Sequence, residues 1–226
     1  MAEISVVLPV HNQADHIAVI VDEYVEAVGD LPATIELLLV PNGCRDDSVT
    51  ICANLAERHD VVQSLPSPKG GWGAAVRHGL AAATGDTLCY TNTARTDPAD
   101  LRQALHYAAL LPDVVVKANR KIREGRTRRL GSLLYNLECR ALFDLSAWDI
   151  NGTPKVFPRS FGRLMLLTRD DDLIDTEFAL ICRAESYPMI ELPLFSSRRH
   201  GGRSTTDART ALRLYRGAFA LRRQFR

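Results

Sequence analysis

The chain has 226 residues, 46% of them hydrophobic and 24% charged, a near-average balance that excludes a disordered polymer and allows one large α/β domain with ample core. No apolar run approaches the roughly 18 residues that span a bilayer, and the five cysteines (Cys44, Cys52, Cys89, Cys139 and Cys182) lack the spacing of a zinc site or a disulfide framework, so they read as buried thiols in a reducing cytosol. The net charge of +1 hides an asymmetry: Lys117 to Arg140 carries 8 basic and 2 acidic side chains and Arg198 to Arg226 carries 9 and 1, leaving 11 basic against 24 acidic elsewhere.

Glu3 to Pro9 is a continuous β-branched run, the pattern of a parallel strand covered on both faces, and it runs into Pro9-Val10-His11-Asn12. From Asp15 the apolar residues recur at helical spacing as far as Val28, with Gly29 placed as the stop. Ile35 to Val40 is a second buried strand, followed by the turn Pro41-Asn42-Gly43-Cys44 and a helix over Ser48 to Arg58, and Val61 to Leu65 is a short third strand. Gly70, Gly71 and Gly73 then precede a small-residue helix, so the backbone there can turn tightly and approach a ligand. Thr87 to Thr91 is a buried strand whose end, Asn92-Thr93-Ala94-Arg95, is where an open α/β sheet binds ligands. Asp97, Pro98 and Asp100 supply an N-cap, a first-position proline and a first-turn acid for the next helix, and Asp113 to Lys117 is a strand.

Beyond Asn119 the order changes. Arg120 to Arg129 is too basic for a core element, Leu130 to Leu145 has helical spacing, and Trp148 to Pro158 holds turn residues and one short strand. Asp175 to Tyr187 reads as a helix, Met189 to Phe195 as a strand, and Thr206 to Phe225 as a basic amphipathic helix. Strands alternating with helices predict a mostly parallel sheet flanked by helices. The expected division is one domain over 1–226, in stretches 1–119 and 120–205 followed by the basic helix (206–226).

The ordered blocks VVLPVHNQADHI, LLLVPNGCRDDS, GWGAAVRHGLAAATGD, VVVKANR, RRLGSLLYN, NGTPKVFPR, DTEFAL and GGRS resemble the family-2 glycosyltransferases of GT-A (Rossmann-like) fold, most closely the polyprenyl-phosphate sugar transferases typified by dolichyl-phosphate mannose synthase. The resemblance implies transfer of a sugar, with inversion, from a UDP- or GDP-sugar to a lipid-phosphate or hydroxyl acceptor, with 1–119 as the nucleotide-binding half and 120–205 as the acceptor half. It places Pro9, His11, Asn12, Asn42, Gly71, Gly73, Arg77, Asn92, Ala94 and Arg95 at the nucleotide-sugar donor. Gln13 stands where the family has an acid, and Asn42 lies in a turn that lacks the usual base-reading acid. Arg120, Arg129 and Ser132 fall where phosphates of donor or lipid acceptor are held, with Arg123, Arg126 and Arg128 read mainly as a solvated loop. Arg199, His200 and Arg203 match a mobile loop over the donor. Asp175, then Glu177, match the base that deprotonates an acceptor hydroxyl, and an N-cap acid is the equal alternative.

The family's D-x-D, which binds Mg2+ or Mn2+ on the donor diphosphate, is Asn92-Thr93-Ala94 here. Either other groups hold the metal weakly, or cationic side chains replace it. The loss also opens a second reading, a transfer-dead homologue acting as a binding or scaffold subunit, which the matching Arg120, Arg129, Ser132 and Asp175 oppose. The basic segments have few aromatics and no stacking platform, which speaks against nucleic acid. The expected location is cytoplasmic, with peripheral membrane contact open through the basic segments. The sugar, the base, the acceptor and the oligomeric state are not legible.

Overall fold

The computed structural model describes residues 3–121, 126–195, 217 and 221, with the backbone alone at 126–130 and 132. Seven strands form one sheet in the order β3-β2-β1-β4-β6-β5-β7: β1 (Ile4–Val10), β2 (Ile35–Pro41), β3 (Val62–Ser64), β4 (Thr87–Tyr90), β5 (Val115–Arg120), β6 (Lys155–Pro158) and β7 (Met189–Leu194). Every pairing is parallel except the two made by β6, which runs antiparallel to β4 and β5. The predicted mostly parallel α/β sheet is therefore found.

The reason lies in side-chain alternation. All seven residues of β1 and of β2 are buried, so each strand feeds two cores at once. Val6 and Leu8 pack with α1 (Ile17–Gly29), α2 (Ser48–Arg58) and α4 (Pro98–Leu110) on one face. Val7 packs on the other face with α3 (Trp72–Ala82) and α6 (Ile174–Ala184). A third cluster joins α5 (Arg126–Phe143), the 145–150 loop, α6 and Leu221. Each fully buried Leu, Ile, Val or Phe contributes about 1.5–3 kcal/mol, enough collectively to tolerate buried charge near the sheet.

The boundaries depart from expectation where tertiary contacts intervene. Gly29 ends α1 within the helix, and Asp30 caps it in an ordinary right-handed conformation, so the glycine's freedom is not used there. Asp97 caps α4 as predicted, its side chain accepting from Ala99 N–H at 3.0 Å. The fifth strand begins two residues late, because Val114 closes a turn on the Leu111 carbonyl at 3.2 Å. Helix α5 starts at Arg126, four residues before the apolar periodicity, so the loop reading of Arg126 and Arg128 is corrected. Helix α6 stops at Ala184 rather than Tyr187, since Ser186 takes φ +55° and Tyr187 N–H returns to the Cys182 carbonyl at 2.9 Å. A 3-10 turn at Gly162–Leu166 was not expected. The predicted helix over Thr206 to Phe225 lies outside the described residues except for Gly217 and buried Leu221.

Four cysteines are buried, and burial pushes the thiols of Cys52, Cys139 and Cys182 up to about 12. Cys44 departs from the prediction of burial: it is partly exposed beside the end of β1.

Candidate active site at the strand ends

Strand β1 lies between β2 and β4, so the chain winds away from it in both directions and leaves a crevice beyond its C-terminal end. The loops after β1, β2 and β3 meet there. His11 Nδ1 lies 2.7 Å from the Asn42 carbonyl, and Asn12, held at φ +50°, accepts from Arg45 N–H at 2.7 Å. A side-chain carbon added at Gly43 would stand 3.4 Å from the Gly70 backbone and 3.7 Å from the His11 ring, so these three residues are already in contact. Buried Asn42 donates to the Val10 and Val40 carbonyls at 2.9 and 3.2 Å and accepts from Gly71 N–H at 3.1 Å. It ties both strand ends to the glycine loop. Pro9 offers its carbonyl to Thr93 Oγ1 at 3.4 Å, and Thr93 donates to buried Gln13 at 2.6 Å, which latches the loop after β4 onto the loop after β1.

The glycine loop approaches protein backbone more closely than sequence reasoning anticipated. A Cβ at Gly71, where φ is +132°, would lie 2.5 Å from the Asp170 carbonyl, and one at Gly73 would lie 2.3 Å from the Arg169 carbonyl. Gly73 falls inside α3, whose first turn is thus seated directly on residues 169–171, with Ala74 N–H on the Asp170 carbonyl at 3.0 Å. The same segment gathers charge. Asp170 accepts from Lys69 and, at 2.6 Å, from Arg77, which also reaches the Thr168 carbonyl at 3.2 Å. Two cations share one acid.

The end of β4 is a tight turn. The Asn92 side-chain oxygen accepts from Ala94 N–H at 3.0 Å, and its backbone carbonyl accepts from Arg95 and Thr96 N–H at 3.0 and 2.9 Å. Ala94 is 5% exposed and offers no donor atom. A hard divalent cation needs several oxygen ligands. The amide already engaged by its own turn and an alanine do not fit one, and among the described residues no three His, Cys, Asp or Glu side chains converge on a metal position.

Sequence reasoning missed a buried charged network where β5, β6 and β7 meet α6. Lys117 of β5 and Lys155 of β6 are register partners, both fully buried. Lys117 donates to the Asp149 carbonyl at 2.5 Å and to Glu191 at 2.8 Å. Lys155 donates to Asp175, which also accepts from Tyr90 OH at 3.0 Å. Burial pushes the Lys155 ammonium pKa down, against the pull of the Asp175 carboxylate. Burial, then that carboxylate, holds the Tyr90 phenol far above its ordinary value, so it remains a donor. The signal was present in the sequence: a lysine stands inside each of the two apolar strand runs VVVKANR and TPKVFP.

Asp175 and Glu177, the two expected bases, are both buried and engaged. Glu177 accepts from Thr168 N–H at 2.9 Å, from its hydroxyl at 2.6 Å and from Arg169 N–H at 3.0 Å. Arg120 forks onto Asp149 at 2.8 and 3.0 Å and reaches the Asn151 carbonyl at 2.8 Å. The structure thus brings together His11, Asn12, Asn42, Gly71, Gly73, Arg77, Asn92, Ala94 and Arg95 around the crevice, and sets Arg120, Asp175 and Glu177 in the framework beside it. The side chains of Arg129 and Ser132, and all of Arg199, His200 and Arg203, lie outside the described residues. A groove of about 1140 Å3 between α1 and α4, lined by His16, Glu23, Asp97 and His106 among others, contains none of the predicted site residues.

The held carboxylates predict a pH response. The Lys69 hydrogen bond and charge, then Arg77, keep Asp170 below its ordinary 3.8. Burial raises Glu36, but hydrogen bonds from Ser5, Thr84 and Gly85 outweigh it and hold the group below 4.5. A carboxylate with a lowered folded pKa stabilises the fold fully above its unfolded value and loses that contribution as pH falls through the folded one. Thermal midpoints are therefore expected to drop below about pH 4, and D170N should flatten part of that drop.

Comparison with known proteins agrees with this architecture. A family model described as glycosyl transferase family 2 matches residues 5–163. An undecaprenyl-phosphate 4-deoxy-4-formamido-L-arabinose transferase of Sodalis glossinidius is 25% identical over 205 residues, covering 89% of this chain and 62% of the relative. Glycosyltransferase AglD of Haloferax volcanii is 37% identical over 94 residues, covering 40% of this chain and 15% of that protein. Glucosyl-3-phosphoglycerate synthase from Mycobacterium tuberculosis, solved with phosphoglyceric acid, superposes with a TM-score of 0.76 at 16% identity over 99% of this chain and 80% of its own. The same enzyme with Mg2+ and uridine diphosphate gives 0.75 at 18%, over 98% and 79%. These superpositions establish a common fold. No helix among the described residues is long and apolar enough to cross a membrane.

Proposed function

Because the chain belongs to glycosyl transferase family 2, we propose that it transfers a sugar from a UDP- or GDP-sugar to a lipid phosphate, with inversion, and that cationic side chains take the place of a D-x-D-bound metal. The observation that carries this reading is the pair Lys69 and Arg77 sharing the single acid Asp170 beside the contact of His11, Gly43 and Gly70. Lys69 and Arg77 place two cationic donors where a diphosphate would follow a base seated on those loops, with Asp170 as the anion they would exchange for it. A guanidinium and an ammonium supply charge-assisted hydrogen bonds to phosphate oxygens without a metal. Arg95, next to the metal-poor turn, is the third candidate. The Sodalis glossinidius relative is named as an undecaprenyl-phosphate transferase, which supports a lipid phosphate as acceptor, although this chain spans only 62% of its length.

In this mechanism an acceptor phosphate oxygen, already ionised, attacks the anomeric carbon from the face opposite the diphosphate. The bond from that carbon to the diphosphate oxygen breaks, and the nucleoside diphosphate leaves with the electron pair. No proton has to be removed. That accords with Asp175 and Glu177, whose carboxylates are engaged by Lys155 and Tyr90 and by Thr168 and Arg169. A hydroxyl acceptor, by contrast, would require Asp175 to exchange its lysine for a proton. The purified protein should gain thermal stability with UDP, GDP or their sugars equally with and without EDTA, and should label undecaprenyl phosphate from one such sugar. Absence of stabilisation by every nucleotide would overturn the reading.

The occupied carboxylates and the lost acids also favour a second reading, a binding subunit without transfer. N92D and the double variant N92D/A94D separate the two. An enzyme that holds the diphosphate with cations is expected to lose about tenfold in rate from added negative charge, without rescue by Mn2+. A binding subunit has no transfer to lose, and would gain Mn2+ affinity. Asn92 is partly exposed and Ala94 buried, so N92D alone serves where the double variant fails to fold.

A further inference from the structure

We propose that the outer face of α5, together with Trp148, is a docking surface for an anionic lipid bilayer; this rests on the reading that the acceptor is lipid-borne. Leu133, Leu137 and Arg140 follow one another at steps of four and three and so form a single row along the helix. Leu133 is 55% exposed, Leu134 50% and Leu137 64%. The row continues past the helix end, because the Arg140 guanidinium stacks 4.0 Å over the Trp148 ring, which is itself 62% exposed. The opposite side of α5, with Tyr135, Cys139 and Phe143, is buried in the third core cluster. A helix that needs only one apolar face to fold therefore carries a second one, and it faces solvent.

The platform is built to hold its shape. Glu191 accepts from Trp148 N–H at 3.0 Å, and Arg140 donates to the Ser146 carbonyl at 2.6 Å, so backbone anchors fix a tryptophan whose ring points outward. Tryptophan and leucine beside basic residues are what an interfacial segment presents to lipid headgroups and upper acyl chains. Charge selects the occupant. Lys117 and Arg120 are taken up by Glu191 and Asp149, but the stretch from Lys121 to Arg140 still carries 6 basic and 2 acidic side chains, a balance that attracts an anionic surface and opposes a second copy of the same segment.

Position links the surface to the reaction. Tyr135, on the buried side, meets Thr176 at 2.6 Å, immediately beside Asp175. A bilayer on the outer side would lie about one helix diameter, roughly 10 Å, from the acceptor edge of the site. A phosphate at a membrane surface is within such reach.

The test uses phosphatidylglycerol and phosphatidylcholine vesicles with the full chain. The protein is expected to sediment with the first and not the second. In W72F, which leaves Trp148 as the only tryptophan, emission should shift to the blue on binding and be quenched by brominated phosphatidylglycerol. L133S/L137S is expected to lower the partition constant at least about tenfold, with an unchanged thermal midpoint. Transfer to a short, water-soluble polyprenyl-phosphate analogue should also survive in that variant. Absence of binding to phosphatidylglycerol, equal binding by L133S/L137S, or an unshifted Trp148 would overturn the proposal, and so would a concentration-dependent dimer abolished by the same substitutions. The soluble analogue reads transfer without vesicles, so failure of the acceptor reading is seen separately from failure of docking.

Discussion

Replacement of Lys155 by methionine is expected to destabilise the fold by about 3–5 kcal/mol. Lys155 is fully buried and Asp175 is 4% exposed, so removing the ammonium strands an ionised carboxylate with Tyr90 as its remaining side-chain donor. The reverse change, D175N, leaves a buried ammonium whose pKa burial already lowers from 10.5. In that variant the unfolded chain binds the proton more tightly than the folded one, so stability should rise as pH increases through the window between the lowered folded value and 10.5. The double variant K155M/D175N should recover most of the loss, because a neutral, well-packed replacement of a buried pair is often tolerated. Urea denaturation of the three variants measures all of this. A cost for K155M below about 1 kcal/mol, the scale of a surface ion pair, would show that the pair is not a strut between β6 and α6. The double variant also probes chemistry: if the acceptor is an ionised phosphate, it should keep most of its transfer rate once folded.

The second large effect concerns the donor. K69A/R77A is expected to raise the KM for the nucleotide sugar about a hundredfold, since each charge-assisted hydrogen bond to phosphate is worth about 1.5–3 kcal/mol. The fold should hardly notice, because Lys69 is 66% and Arg77 41% exposed, and exposed ion pairs contribute little. D170N gives the opposite sign. It removes the carboxylate that competes with the diphosphate for both cations, so donor affinity should increase. Titration of UDP and GDP by calorimetry reads both changes. A weaker donor complex in D170N would mean that Asp170 positions the cations rather than competing for them.

How much of this could be read beforehand varies by element. The boundaries of α2 and the Asp97 cap of α4 match the expectation because local chemistry alone sets them: an apolar stripe in one, and a carboxylate reaching the N–H two residues on in the other. The fifth strand, α5 and the end of α6 were misplaced, since each boundary is set by a turn or by packing that the local pattern does not encode. The ordered blocks singled out the His11 and Asn12 loop, the glycine loop and the turn at Asn92, and the structure places all three at the same end of the sheet. Asp170 was not, although it lies within 3 Å of one of the predicted cations.

By itself the sequence determined the parallel α/β sheet, the crevice at its strand ends, the absence of acids at Asn92 and Ala94 and the presence of two cationic stretches, because each is a matter of periodicity or of residue type along the chain. Only the tertiary structure decided what those residues do. It seated Gly73 on the 169–171 backbone, brought Lys69 and Arg77 to one acid about a hundred residues further along the chain, and buried Lys155 against Asp175. Contacts between residues about 20 to 100 positions apart arise from chain crossings, and a pattern confined to neighbouring residues carries no record of them.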